Sequence, residues 1–188
     1  MKPEPNVYTD AVAFLTRPAW TTVVYWLLLI ISILVATQVH RNAPDDQRGL
    51  RPLGIWVMRV AMGTMWWQGS LWKIPPNFDG LLYWMKQIVM HSTIPLQAAV
   101  FDEVMIPHIG FFGWVVYLTE AFIGASLILG LLTRWFSLLG LLMALNLWLG
   151  LYSAPGEWPW TYGFLIIIQV LFVIDPPGRC LGLDWRRP

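Results

Sequence analysis

The stretch YLTEAFIGASLILGLLTRW, residues 117–135, decides the fold, because it has the composition of a membrane-spanning helix but contains one carboxylate. Beyond Glu120, apolar or small residues continue for more than about two helical turns towards Arg134. A charge at the centre of a bilayer costs at least about 3 kcal/mol on insertion scales, and glutamate is too short to reach the interface from there. Glu120 must therefore be paired, hydrogen-bonded or protonated. It either takes part in function or belongs to a buried structural network.

The composition of the whole chain indicates a membrane protein. Of the 188 residues, 57% are hydrophobic and only 12% are charged, and 13 are tryptophan. A soluble domain of this size could not keep that balance in solution. The net charge of +1 and the lack of basic runs and phosphate-binding loops point away from nucleic acid as a partner. The single cysteine, Cys180, excludes an intramolecular disulfide and a thiolate metal cage.

Hydrophobic segments that could cross a bilayer recur along the chain. A hydrocarbon core of about 30 Å needs about 20 mostly apolar residues per helix. Five segments meet or approach this length: residues 20–39, 55–73, 110–132, 135–153 and 160–175. The sequence therefore predicts an all-α integral membrane protein. The longer connection from residue 74 to residue 109 is predicted to carry an amphipathic helix that lies at the interface without crossing it.

Charged residues at the ends of these segments predict the orientation. In a five-span arrangement most arginines fall on one side, namely Arg41, Arg48, Arg51, Arg134, Arg179, Arg186 and Arg187. The cations on the other side are Lys2, Arg17, Lys73 and Lys86. The positive-inside rule makes the first side cytoplasmic. We therefore expect a multi-pass protein of a bacterial or archaeal cytoplasmic membrane, with the N-terminus outside and the C-terminus in the cytoplasm.

The depth of polar residues follows from the helix rise of about 1.5 Å per residue, counted from the cytoplasmic ends of antiparallel spans. Glu120, Asn146 and the run Trp66-Trp67-Gln68 come out at one level, near mid-membrane and slightly towards the outer face. Asn146 is expected to form an interhelical hydrogen bond that fixes helix packing. A polar tier therefore lies inside the bundle, below an outer half that is rich in tryptophan.

A second polar tier lies closer to the cytoplasmic side and consists of Arg59 and Gln169. Gln169 is expected to form an interhelical hydrogen bond. Arg59 either snorkels to the cytoplasmic interface or holds a partner inside the bundle, and it reaches Glu120 only if the helices tilt. Lys73 ends its helix at the outer surface and is expected to snorkel there.

The histidines give little indication of a metal or haem site. His40 is cytoplasmic in the predicted arrangement, and His91 and His108 fall in the outer connection, so no two histidines oppose each other within the membrane. A small metal site of these two outer histidines with Asp102 or Glu103 matches no compact ligand motif. No haem or metal is therefore expected.

Three motifs carry a resemblance to a known family. An arginine opens a helix that runs through a glycine to a lysine in RVAMGTMWWQGSLWK, residues 59–73. A glutamate helix ends in a glycine-leucine-basic exit in EAFIGASLILGLLTR, residues 120–134, and the turn APGEWPWTYGFLIIIQ, residues 154–169, leads into the last span. With these motifs the chain resembles the DoxD family, the membrane subunit of thiosulfate:quinone oxidoreductase, within the broader DoxX group of small membrane proteins. The first two motifs belong to the whole DoxX group, and the EWPW turn together with the long connection favours DoxD.

The resemblance also implies a domain organisation. A four-helix membrane domain would occupy residues 55–176, with residues 74–109 as its outer loop. The helix at 20–39 lies outside that four-helix core, within an N-terminal segment of residues 1–54. Residues 177–188 would form a cytoplasmic tail.

The function implied by the resemblance is the oxidation of two thiosulfate ions to tetrathionate, with two electrons passed to a membrane quinone. Glu120 and Arg59 are the candidate catalytic residues. Two dianions need a cationic, water-accessible surface, for which the candidates are Lys73, Lys86, His91 and His108. A quinone needs an aromatic-lined slot and a proton-handling group, for which the candidates beside Glu120 are Trp66, Trp67, Gln68, Asn146 and Trp148.

A function of a different class is also open. The sequence shows no protein-bound redox group, and its extra N-terminal helix and many apolar faces suit a non-catalytic accessory or assembly subunit. The complex would be a larger respiratory, sulfur-oxidising or photosynthetic membrane assembly. The enzymes that the chain resembles have a smaller partner subunit, so a second subunit is expected under the first hypothesis, and the accessory hypothesis implies larger redox subunits as partners. The lack of inverted repeats gives a transporter little support.

Overall fold

The computed structural model describes residues 6–42 and 47–186, and its regular structure within these ranges is entirely helical. The α-helices are α1 (Val7–Thr16), α2 (Trp20–Asn42), α3 (Leu50–Ser70), α4 (Asp79–His91), α5 (Pro95–Val100), α6 (Ile109–Leu129), α7 (Thr133–Leu151) and α8 (Pro159–Ile174). Lys2 and Arg187, which belong to the predicted charge asymmetry, lie outside the described residues.

The predicted all-α integral membrane fold is confirmed. Helices α2, α6 and α7 are long and apolar enough to cross a bilayer, and α8 is a shorter apolar helix of 16 residues. Helix α3 fills the place of the remaining predicted span, but it begins at Leu50 and ends at Ser70. Much of the apolar surface of these helices is exposed, as expected for side chains that face lipid.

Two closely packed helix pairs, α3 with α6 and α7 with α8, form the core of the bundle. Small residues allow the first pair to approach closely. A Cβ placed on Gly63 would lie 2.8 Å from the backbone oxygen of Gly124, and one on Gly124 would lie 2.8 Å from the backbone nitrogen of Trp67. The backbones of α3 and α6 are thus in direct contact, as in membrane helix pairs with small interface residues. This contact sets the alignment of the two helices.

Helix α2, the additional N-terminal span, is joined to this core by polar contacts. Ser32 Oγ donates a hydrogen bond of 2.6 Å to the carbonyl oxygen of Ile128 on α6, and Trp56 Nε1 of α3 donates to Ser32 Oγ at 3.1 Å. The hydroxyls of Tyr25 and Thr64 lie 3.0 Å apart. Helix α2 is therefore an integrated part of the bundle.

The connection after α3 is more ordered than the predicted loop with one amphipathic helix. Helix α4 matches that amphipathic helix, and it is followed by α5 and by a π-helical turn, Phe101–Met105. Three buried residues of α4, Leu81, Met85 and Ile88, form a cluster with Leu151 of α7. We call α4, α5 and the π-helical turn the cover, and the end of the bundle that they pack against the cover end.

At the opposite end, residues 177–186 fold back onto the turn between α6 and α7. Asp184 accepts hydrogen bonds of 2.9 Å from the backbone nitrogens of Leu132 and Thr133, and Thr133 Oγ1 accepts one of 3.1 Å from the backbone nitrogen of Gly178. The carboxylate thereby satisfies amides that the start of α7 would otherwise leave without acceptors. We call residues 177–186 the tail and this end of the bundle the tail end.

Candidate functional site

A cavity of about 800 Å³ lies at the cover end, between the cover and the helices α6 and α7. Its wall is mainly apolar and includes Leu81, Trp84, Met85, Ile88, Phe101, Met105, Phe112, Val116, Met143, Leu147 and Leu151. Small-molecule sites occupy roughly 300–1,000 Å³ and are mostly apolar with a few placed polar groups. The cavity therefore has the size and character of a site for an organic ligand.

An ion pair between Lys73 and Glu120 lies in the wall of this cavity. Lys73 Nζ donates a hydrogen bond to each carboxylate oxygen of Glu120, and the distance to Oε1 is 2.5 Å. The two residues are only 6% and 3% exposed. Lys73 Nζ also donates to the carbonyl oxygen of Gly69 at 3.2 Å and lies 4.2 Å from the ring centre of Trp72. Each buried charge thus has an opposite charge in contact.

The close packing of α3 on α6 makes this pair possible. Lys73 stands in the 3₁₀ turn Leu71–Lys73 that prolongs α3, and Glu120 stands in the middle of α6. Because the helix backbones touch at Gly63 and Gly124, a lysine side chain that extends from the end of α3 can reach the carboxylate. The expectation that Lys73 snorkels to the outer surface is therefore wrong, since its ammonium points into the bundle and the cover lies beyond it.

A second polar pair joins the cover to α7. Gln97 Nε2 donates to Oδ1 of Asn146 at 2.8 Å and to the carbonyl oxygen of Asn146 at 2.9 Å. Ser92 Oγ donates to Gln97 Oε1 at 2.6 Å, which fixes the orientation of the Gln97 amide. Asn146 therefore does form an interhelical hydrogen bond, and its partner is in α5 of the cover.

Two polar groups of the cavity wall are open to a ligand. Within the described residues, neither Nδ2 of Asn146 nor Oγ1 of Thr119 has a hydrogen-bond partner. Thr119 directly precedes Glu120 on α6, so its hydroxyl adds a donor or acceptor beside the ion pair. The cavity thus offers hydrogen-bond donors on two walls, from α6 and from α7.

The tryptophans predicted to bind a quinone lie elsewhere. Trp66 packs in a core cluster with Ile123, and Trp67 packs in another with Ile128. Neither of these two tryptophans lines the cavity, because both rings point into the packing between helices.

Two other residues of the predicted quinone site are also outside the cavity. Gln68 is exposed on α3. Trp148 forms an edge-to-face contact with Tyr152 and does not line the cavity. Of the residues predicted to bind quinone, the structure brings only Asn146 to the cavity, together with Glu120. The aromatic rings of the wall are Trp72, Trp84, Phe101, Phe112 and Tyr162, which the sequence had not indicated as site residues.

Arg59 lies at the tail end and does not line the cavity. Its side chain is fully buried and donates hydrogen bonds to the carbonyl oxygens of Leu127, Ile128 at 2.9 Å and Leu181 at 3.4 Å. These contacts satisfy carbonyls in the last turn of α6 and connect them to the tail. Arg59 therefore does not snorkel to the interface. It holds partners inside the bundle, and these partners are backbone carbonyl oxygens.

The remaining predicted cations also lie outside the cavity. Lys86 is exposed on α4, and His91 is the last residue of α4. His108 is exposed, and its Nδ1 lies 2.9 Å from the carbonyl oxygen of Val104. Of the four predicted thiosulfate-binding residues, the structure therefore brings only Lys73 to the cavity.

The fold and the site define a multi-pass helical membrane protein with a ligand-sized cavity around a buried ion pair. Residues 54–153, more than half of the chain, match the DoxX family. The chain therefore belongs to the DoxX family. The matched region runs from α3 to the end of α7 and includes Lys73, Glu120 and Asn146, whereas α2, α8 and the tail lie outside it. No curated protein and no solved structure matches the chain.

Proposed function

We propose that this DoxX protein binds a membrane quinone in the cover-end cavity and acts as the DoxD-type membrane subunit of a thiosulfate:quinone oxidoreductase. The observation that carries the proposal is the Lys73–Glu120 pair, set in the wall of a mainly apolar cavity. Buried ionisable residues within membrane helices are costly and mark functional sites. A proton-handling pair beside an aromatic, lipid-like space is what reduction of a quinone requires.

The lining suits a quinone in size and polarity. Trp72, Trp84 and Phe112 offer flat apolar surface for a ring, and the volume of about 800 Å³ also leaves room for the first part of a hydrocarbon tail. The open groups Thr119 and Asn146 can donate hydrogen bonds to ring oxygens. When bound, a quinone accepts two electrons and two protons and becomes a quinol.

The ion pair can supply one of the two protons that this chemistry needs, and the other must come from water. Lys73 Nζ donates a hydrogen bond to Glu120 Oε1, so a proton can pass between the two groups with little movement of the side chains. The cover keeps bulk water from the pair, which strengthens the electrostatic interaction between the two groups. In the overall reaction, two thiosulfate ions, one quinone and two protons yield one tetrathionate and one quinol. We assign the approach of thiosulfate to the cations of the cover end, Lys86, His91 and His108.

The test is quinone reduction by the purified protein in proteoliposomes, with and without a partner subunit. Thiosulfate and a short-chain quinone analogue are added, and quinol and tetrathionate are both measured. We expect Glu120→Gln to lower turnover at least about 100-fold, the usual contribution of a positioned acid or base. The matched control is Glu103→Gln, an exposed carboxylate of the cover, which should turn over at the wild-type rate. Normal turnover by Glu120→Gln would refute the proton role.

A non-catalytic accessory function has one specific observation in its favour. The Lys73–Glu120 contact joins the end of α3 to α6, and the Gln97–Asn146 contact joins the cover to α7, so the same groups can hold the bundle and its cover together without any chemistry. An accessory subunit would co-purify in fixed stoichiometry with larger redox subunits and would show no turnover alone. A monodisperse chain that is active with thiosulfate excludes this alternative.

A further inference from the structure

A groove lies at the tail end, at the opposite end of the bundle from the cover-end cavity. It has a volume of about 560 Å³ and runs between the first turns of α7 and the end of α8. Leu138 of α7 and Val173 of α8 are among its apolar residues, and its two cations are Arg134 and Arg179, which we call the rim. The groove thus combines two cations with an apolar channel between membrane helices.

The two guanidinium groups have no acidic partner in the part of the chain that the structure describes. Arg134 is exposed and Arg179 is half-buried, and neither makes a hydrogen bond or ion pair there through its side chain. The carboxylate of the groove is Asp184, but both of its oxygens are bonded to the backbone nitrogens of Leu132 and Thr133. The rim therefore presents two positive charges that attract an anion.

The apolar residues place this rim at the height of lipid head groups. Trp135 stands at the first turn of α7 and is 67% exposed. Tryptophan at the end of a membrane-spanning helix marks the interface between head groups and hydrocarbon. Leu138 lies one turn deeper on the same helix, where acyl chains begin. The order from solvent to bilayer is thus cation, aromatic ring and aliphatic channel.

We propose that this groove is a binding site for an anionic phospholipid. The phosphate lies on Arg134 and Arg179, and one acyl chain runs along Leu138 and Val173. Guanidinium groups form paired, charge-assisted hydrogen bonds with phosphate, and basic pockets between membrane helices are known to take anionic head groups. The apolar channel favours a lipid over free phosphate, because a free ion would leave that channel unused. This inference does not depend on the quinone cavity.

The experiment uses the full-length protein in a neutral detergent, with lipid binding followed by native mass spectrometry and by thermal unfolding. The probes are phosphatidylglycerol, phosphatidylcholine and free glycerol phosphate. The variants are Arg134→Gln, Arg179→Gln and their double variant. The matched control is the double variant Arg41→Gln with Arg51→Gln, which removes two exposed arginines at the same end of the bundle but outside the groove. A further double variant, Arg134→Lys with Arg179→Lys, keeps the charge without the paired hydrogen bonds.

We expect phosphatidylglycerol to bind the wild type and the control equally. Each single variant should lower the affinity for phosphatidylglycerol about fivefold. By the same reasoning the affinity of the double Gln variant should be about 25-fold lower than that of the wild type. The affinity of the Lys variant should lie between these two values. Equal losses in the control and the groove variants would refute the site, as would equal affinity for phosphatidylcholine. Glycerol phosphate binding as tightly as the lipid would also overturn the proposal.

Discussion

Lys73 Nζ lies 2.5 Å from Oε1 of Glu120, although the two residues stand 47 positions apart in the chain. The pair connects the end of α3 with the middle of α6, and both side chains belong to the wall of the cover-end cavity. One contact therefore serves both the packing of the bundle and the chemistry proposed for it. Substitutions at the two residues separate these two contributions.

Removing one charge of the pair should destabilise the protein more than removing both charges. Lys73→Met leaves Glu120 as an unpaired buried charge, which typically costs about 3–5 kcal/mol. Lys73→Met combined with Glu120→Leu replaces the pair by apolar side chains and should recover most of that loss. Tryptophan fluorescence during thermal unfolding in detergent measures both variants. Under the proposed function the double variant remains unable to reduce quinone, so recovered turnover would show that the pair is purely structural.

Alanine at Gly63 should weaken the bundle, whereas alanine at Gly54 on the same helix should not. A Cβ on Gly63 would lie 2.8 Å from backbone atoms of Gly124 and Ile128, which cannot move aside independently of their helix. Overpacking of this kind costs about 1–3 kcal/mol. Gly54 has no atom within 4 Å of an added Cβ, so Gly54→Ala should gain up to about 1 kcal/mol through helix propensity. Equal unfolding temperatures for the two variants would contradict the close α3–α6 contact.

Replacement of Arg59 should affect stability and leave quinone affinity unchanged. Arg59→Met removes the donor to the carbonyl oxygens of Leu127, Ile128 and Leu181. The carbonyl oxygen of Ile128 keeps its hydrogen bond from Ser32, whereas those of Leu127 and Leu181 lose this donor. A buried acceptor left without a partner costs about 1–3 kcal/mol. Arg51→Met, at an exposed position of the same helix, is the control and should stay within about 0.5 kcal/mol of the wild type. Thermal unfolding and quinone titration are measured together. An Arg59→Lys variant with wild-type stability but no turnover would restore the catalytic role predicted from the sequence.

A bulky residue at Thr119 should block the cavity. Thr119 lines the cavity wall, whereas its neighbour Leu118 does not and is 40% exposed. We expect Thr119→Phe to weaken binding of a quinone analogue at least about tenfold, which corresponds to about 1.4 kcal/mol. Leu118→Phe should bind the analogue as the wild type does. Fluorescence quenching of cavity tryptophans by the quinone gives both affinities. If the two variants bind equally well, the quinone occupies another place.

The helices could be predicted from the sequence, but the residues at which they end were predicted less accurately. Long apolar runs predicted α6 over residues 110–132, but the helix ends at Leu129. The reason is the backbone of the turn, where Gly130 and Leu132 have φ values of 70° and 54°. A left-handed residue of this kind ends a helix. Composition does not reveal that conformation, because the turn is as apolar as the spans beside it, although Gly130 in the motif of residues 120–134 was a signal for the helix end.

Counting the helix rise gave the polar residues a level along the bundle but no direction for their side chains. The estimate placed Glu120, Asn146, Trp66 and Trp67 at one level, yet only the first two line the cavity. Helix rise determines height, whereas rotation about the helix axis depends on which faces pack together. The α3–α6 contact turns the two tryptophans into core clusters and brings Lys73 towards Glu120.

The cover was the part that local sequence patterns could least reveal. Its position depends on packing between distant residues, such as Met85 and Ile88 of α4 against Leu151 of α7. Gln97 was a signal that could have been noticed, since it is the one polar side chain in α5, PLQAAV. Its partner Asn146 lies 49 positions further along the chain, and periodicity carries no information about such a pairing.

The hydrogen bond from Ser32 to Ile128 has a consequence for biosynthesis. The two residues are 96 positions apart, so α2 leaves the ribosome and enters the bilayer well before its acceptor on α6 has been translated. In that interval the Ser32 hydroxyl can bond a carbonyl of its own helix, one turn back. Helix α3 emerges next and supplies Trp56 and Thr64, which contact α2 first. The N-terminal helix thus joins the growing protein in two steps, and the second must wait until α6 is inserted.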